Sequence, residues 1–152
     1  GMNILYQVSN SGNEKGAKWL QSMFPEHKVH VERDAYSGAH FDSTVVPLAD
    51  GLVLFNGHRV SSDNYPKIFE KWDKIFFTDF SDSQSDSSGI SSNAIGMNLL
   101  SVTDDLVIVD ENQTELIKIL LRYGIESIPM SMRHQRTLGG GFHCVTLDLK
   151  RG

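Results

Sequence analysis

Two stretches of this chain repeat one short design, and the repeat limits what the chain can build. Val45-Val46-Pro47-Leu48-Ala49-Asp50-Gly51-Leu52-Val53-Leu54-Phe55 sets apolar runs on both sides of an Asp-Gly pair. That is a hairpin signal, because the turn needs a residue free of a Cβ. Leu99 to Val109 has the same shape around Asp104-Asp105. Each hairpin leads to a helix and then to another strand. After the first, Pro66 to Trp72 reads as a helix with Ile68, Phe69 and Trp72 on one face, and a strand runs from Lys74 to Thr78. After the second, Gln113 to Tyr123 reads as a stronger helix. Asn112 is placed to cap it, Glu115 stands three residues later as in a capping box, and Gly124 supplies the stop. A strand from Ile125 to Met130 follows.

The N-terminal third gives part of the same unit. Asn3 to Val8 reads as a strand, Ser11 with Glu14 as a capping-box start for a helix carrying Ala17, Leu20, Met23 and Phe24, and Val29 to Glu32 as the next strand. The expected plan is α/β: a (β)βαβ unit, two ββαβ units and a last strand over Phe142 to Leu149. Such units bury little alone, so they should pack around a common axis. Ser81 to Ser88 offers nothing to bury and reads as a solvated connecting loop.

With 152 residues the chain can form one domain, expected over 1–152, with a sizeable core. A net charge of −5 without a Lys/Arg cluster argues against nucleic acid as a partner. No apolar run approaches the ~20 residues of a membrane span, and no signal-peptide pattern starts the chain. Gly1 ahead of Met2 reads as a cloning remnant. The single cysteine forms no internal disulfide, so a cytoplasmic setting is expected. His27, His30, His58 and His134 show no metal-ligand spacing, and no metal or cofactor is implied.

The lone cysteine closes the run Leu138-Gly139-Gly140-Gly141-Phe142-His143-Cys144-Val145-Thr146. Three glycines let the backbone turn tightly and approach a ligand. Cys144 is then either a buried structural residue or a nucleophile at the mouth of a strand. On a strand, neighbours face opposite sides, so His143 is expected to point away from Cys144 and to pack beneath the turn.

Arg136 to Arg151, with its Gly139-Gly140-Gly141-Phe142-His143-Cys144 run, resembles the catalytic end of the glycine (arginine:glycine) amidinotransferases. His40-Phe41-Asp42 resembles the family's His-x-Asp element, and Arg59, Ser91-Ser92 and Met97-Asn98 fall in step between the two. The resemblance covers essentially the whole chain but only a C-terminal part of the family protein. It implies a partial pentein-type propeller of about three of five ββαβ units. It also implies transfer of the amidino group of arginine to an acceptor amine, such as glycine, through an amidino-cysteine intermediate. For Ser81 to Ser88 the resemblance implies an alternative to the connector, a lid over the site.

In that reading Cys144 is the nucleophile and His40 the acid/base. Asp42, two residues from His40 and on the same strand face, binds the guanidinium. Arg59 binds a substrate carboxylate, and Ser91 or Ser92, with Ser92 favoured, binds the amino-acid end. A family aspartate that completes the catalytic set would lie before Met2, and Val145 stands where relatives often carry an aromatic residue. Two other readings stay open: a guanidine hydrolase of the arginine deiminase type, and an inactive fragment that needs its missing half. Partners would be small molecules, with a possible homo-oligomer formed through open sheet edges.

Overall fold

The computed structural model describes residues 2–36, 38, 40–81, 92, 94–131 and 139–149. Its first unit is β1 (Asn3–Gln7), α1 (Glu14–Met23) and β2 (Lys28–Glu32). The strands pair in parallel from Asn3 with Lys28 to Gln7 with Glu32, and α1 supplies the crossover that parallel pairing needs. Asn13, not Ser11, caps α1: its Oδ1 accepts the Gly16 N–H at 3.0 Å. Of the apolar face expected on α1 only Ala17 is buried, while Met23 and Phe24 are exposed.

The second unit joins β3 (Val45–Ala49), β4 (Leu52–Asn56) and β5 (Asp73–Phe77), with β3 and β4 antiparallel and β4 and β5 parallel. Gly51 makes the hairpin turn at φ +80°. Pro47 sits on the outer strand, where a missing N–H costs no ladder bond, and a register shift follows it. The helix expected over Pro66 to Trp72 is one 3-10 turn, Lys67–Phe69. The Glu70 and Trp72 N–H groups reach back only three residues, to Lys67 and Phe69. Seven residues without a cap do not repay α-helix nucleation.

The third unit repeats the second with β6 (Leu100–Thr103), β7 (Leu106–Asp110), α2 (Thr114–Arg122) and β8 (Glu126–Met130). Gln113 is the residue before α2 and makes no side-chain cap. Asn112 turns back to Asp110 Oδ1 instead, and Glu115 pairs with Lys118 at 2.6 Å. The C-terminus is as expected. Gly124 takes φ +78°, its N–H bonds the Leu121 carbonyl and the Ile125 N–H bonds the Leu120 carbonyl, which is the Schellman pattern.

β4 is buried along its whole length, and its alternate residues serve two cores. Leu52 and Leu54 join Ile75, Phe77, Leu99, Val107, Val109, Leu116, Leu120 and Ile125, so the second and third units share one interior. Val53 and Phe55 face Ala35, Val45, Val60 and Phe69, with Leu5 and Phe41 packed against them.

The last strand expected over Phe142 to Leu149 does not form. Residues 142–145 are turn, and Leu147 and Leu149 are exposed. Backbone groups there are spent locally: the Phe142 N–H bonds the Asn98 carbonyl at 2.9 Å, and the Thr146 N–H bonds the His143 carbonyl at 3.2 Å. Phe142 itself packs with Ile95 and pins the turn to the third unit.

Candidate active site

Asp42 lies in the loop before β3. The Thr44 and Val45 N–H groups both bond the Phe41 carbonyl, at 2.9 and 3.0 Å, so residues 41–45 form a tight turn and not a strand. The expected sharing of one strand face by His40 and Asp42 therefore does not hold. The turn aims Asp42 at the C-terminal segment. Its Oδ2 is 3.0 Å from His143 Nδ1 and 3.5 Å from Cys144 Sγ. A strand would have parted His143 from Cys144; the turn brings both to one carboxylate oxygen.

Glycine makes this approach possible. Gly139 takes φ +83°. A Cβ on Gly141 would stand 2.5 Å from Asn98 Cβ and Oδ1, so only glycine lets the segment lie on Asn98. Asn98 Oδ1 in turn accepts the Cys144 N–H at 3.1 Å.

Charge is divided unevenly across the pair. Burial pushes the Asp42 carboxyl up, but hydrogen bonding and charge from His143, with Asn98 and Cys144, outweigh it and hold Asp42 below the usual carboxylate range. Burial pushes the Cys144 thiol up, and the Asp42 charge adds to that. The resting thiol thus keeps its proton beside an ionised carboxylate. A cation placed between them would reverse the balance, since it favours both anions.

A second cluster flanks the same loop. Arg59, in the turn after β4, donates to Thr44 Oγ1 at 2.8 Å, Ser43 Oγ at 3.2 Å and Ser92 Oγ at 3.0 Å. Its guanidinium also lies 4.1 Å from the centre of the Tyr36 ring, a cation–π contact. Among the described residues no carboxylate pairs with Arg59. It is a held cation with its fork occupied by hydroxyls.

No family model matches the chain. Inosamine-phosphate amidinotransferase 1 of Streptomyces glaucescens is 48% identical over 153 residues, an alignment that takes in 99% of this chain and 44% of that protein. The solved inosamine-phosphate amidinotransferase of Streptomyces griseus is 46% identical with a TM-score of 0.90, again over 99% of this chain and 44% of the other. This chain matches a C-terminal portion of the amidinotransferases. It spans less than half the length of either relative. A cyanobacterial arginine dihydrolase domain, 15% identical over 94% of this chain and 50% of its own, has a TM-score of 0.72 and shows the shared α/β fold alone.

Within this chain the residues singled out from sequence fall into two groups and one outlier. Cys144 and Asp42 are in contact, and Arg59 and Ser92 are in contact. His40 is exposed, and among the described residues no hydrogen bond or ion pair ties it to Asp42 or Cys144. Ser91, Arg136 and the loop beyond Ser81 lie outside the described residues. Sequence reasoning missed Tyr36, Thr44 and the contact of His143 with Asp42. Tyr36 and Thr44 carry no motif, and the His143 contact needs the turn that the alternation of residues disguised. Among the described residues no group of three His, Cys, Asp or Glu side chains is arranged to hold a metal ion, and no helix is long and apolar enough to cross a membrane.

Proposed function

We propose that this chain carries the nucleophile half of an amidinotransferase site, taking the amidino group of arginine onto Cys144 and passing it to an acceptor amine. The approach of Cys144 Sγ to Asp42 Oδ2 at 3.5 Å is the observation that carries the reading. A guanidinium bound by Asp42 through charge-assisted hydrogen bonds would set its carbon against the sulfur. The same cation would favour the thiolate, so the thiol proton passes to solvent as the substrate binds and the substrate switches on its own nucleophile.

The sulfur then forms a bond to the guanidinium carbon, and the carbon–nitrogen bond to the ornithine side chain breaks. His40 protonates the leaving amine. The acceptor amine gives a proton of its own to the now neutral His40 as it attacks the amidino carbon, and the carbon–sulfur bond breaks to restore the thiolate. Arg59 and Ser92 hold the amino-acid end of arginine, with the Arg59 fork turning from hydroxyls to a carboxylate. Glycine and an amino-inositol phosphate are the two acceptors to compare. The ββαβ units read as about three of the five of a pentein-type propeller, in one domain over 1–152. The pairing of His143 with Asp42 favours one variant of this reading, in which His143 and not His40 moves the proton.

Intact mass after incubation with arginine tests the proposal. One added amidino group on the native chain, and none on Cys144→Ala, is the expected result; no adduct on a folded native chain overturns it for this chain alone. Product analysis separates transferase from hydrolase: ornithine with an amidino-acceptor supports transfer, whereas citrulline and ammonia mean deiminase chemistry.

A further inference from the structure

Asn98 stands at the junction of everything that shapes the thiol site. It follows the 3-10 turn Ile95–Met97, with its own N–H on the Ile95 carbonyl at 2.9 Å, and it is 1% exposed. Three hydrogen bonds run from the 142–144 turn to this one residue. Its backbone carbonyl accepts the Phe142 and His143 N–H groups at 2.9 and 3.4 Å, and its Oδ1 accepts the Cys144 N–H at 3.1 Å. The Cys144 N–H needs an acceptor, so the carboxamide orientation is fixed and Nδ2 is left over. Among the described residues that buried Nδ2 makes no hydrogen bond of ordinary length, and neither does Asp42 Oδ1, although the amide is near enough to favour the ionised Asp42. A donor and an acceptor buried without such bonds beside one thiol mark a place reserved for something that forms later.

We infer that Asn98 is the positioning residue of this thiol: it fixes the glycine turn over Asp42 and keeps its amide N–H for the negative charge that appears when Cys144 ionises beside that carboxylate. The inference rests on Cys144 being the nucleophile of the proposed transfer. Among the described residues the charged group that faces the thiol is Asp42, from the loop before β3, and His143, on the same turn, faces Asp42. Asn98 is the neutral donor between the two anions. The Gly141 backbone N–H favours the thiolate and the Asn98 amide adds to it, against burial and Asp42, which oppose it. The Asn98 amide also favours the ionised form of Asp42.

Asn98→Asp keeps the shape and the acceptor for the Cys144 N–H while exchanging the donor for an anion. Alkylation of Cys144 by iodoacetamide across pH reads the thiolate directly. In a folded Asn98→Asp chain the inflection should rise by about one pH unit, which makes labelling at neutral pH roughly tenfold slower. The added carboxylate raises the inflection by its charge as well, so the wild-type reading decides whether the amide itself meets the thiolate. The wild-type chain supplies a second reading that no folding defect can blur. The side-chain amide nitrogen of Asn98, followed by NMR, should shift with the midpoint of the Cys144 titration and stay still in Cys144→Ser. An alkylation profile that overlays the wild type, or a carboxamide that ignores the thiol titration, overturns the inference. If Asn98→Asp does not fold, the wild-type titration decides. Alkylation needs no arginine, so a missing arginine adduct counts against the transfer and not against Asn98.

Discussion

Asp42 carries two opposed demands, and its substitutions separate them. Removing its charge in Asp42→Asn takes away part of what pushes the Cys144 thiol up. The alkylation inflection should therefore fall below that of the wild type. Arginine adduct formation should nevertheless drop at least roughly tenfold, since losing a charge-assisted hydrogen bond costs about 1.5–3 kcal/mol. Asp42 ionises below the usual carboxylate range in the folded chain, so its stabilising contribution is complete above the unfolded-state value and is lost as pH falls through the folded one. Acid melts of wild type and Asp42→Asn should converge in that window. The two histidines give the cleanest contrast at this scale. If His40 moves the proton, His40→Asn should slow turnover by about 10²-fold or more while His143→Asn keeps most of it. Steady-state kinetics with a fixed acceptor will show which variant loses the basic limb of its pH profile.

Turns, more than strands, decide how the elements meet. A Cβ at Gly141 runs into Asn98 at 2.5 Å. Gly141→Ala should lower the melting temperature, displace Cys144 and cut arginine labelling severely. Gly124→Ala belongs to the other class. Its φ of +78° ends α2, so the variant should lose about 1 kcal/mol of stability by chemical denaturation with the thiol profile unchanged. The hairpins were legible because Asp50-Gly51 and the flanking apolar runs agree with each other at short range. The stop of α2 was legible because Gly124 leaves few other options. The 66–72 segment was not, since apolar spacing alone does not show that a helix is too short to nucleate. Nor was the last segment: the alternation in 142–147 suits a strand, but no partner strand lines up beside it, and Asn98 claims its N–H groups first. Cys144, Asp42, Arg59 and Ser92 were singled out as residue types, but that Cys144 meets Asp42 and Arg59 meets Ser92 came only from the fold. The contact of His143 with Asp42 hung on that same turn and was hidden with it.

At the scale of the whole molecule, the second and third units are held by one apolar interior, with Leu54 and Leu116 both at 0% exposure. Leu116→Ala should cost about 2–5 kcal/mol, measured by denaturant melts, and should unsettle β3 to β5 as well as its own unit. β4 has a consequence of a different kind. It is a party wall: Leu54 looks into one room, Val53 and Phe55 into another, and neither room can open while the wall stands. The amide protons of these three residues should then exchange with solvent last and at one common rate, that of the whole assembly coming apart. The loop that carries Asp42 is anchored one residue short of β3, the strand paired directly to that wall. The loop that sets Asp42 against Cys144 thus inherits its steadiness from a strand that supplies no group to that contact.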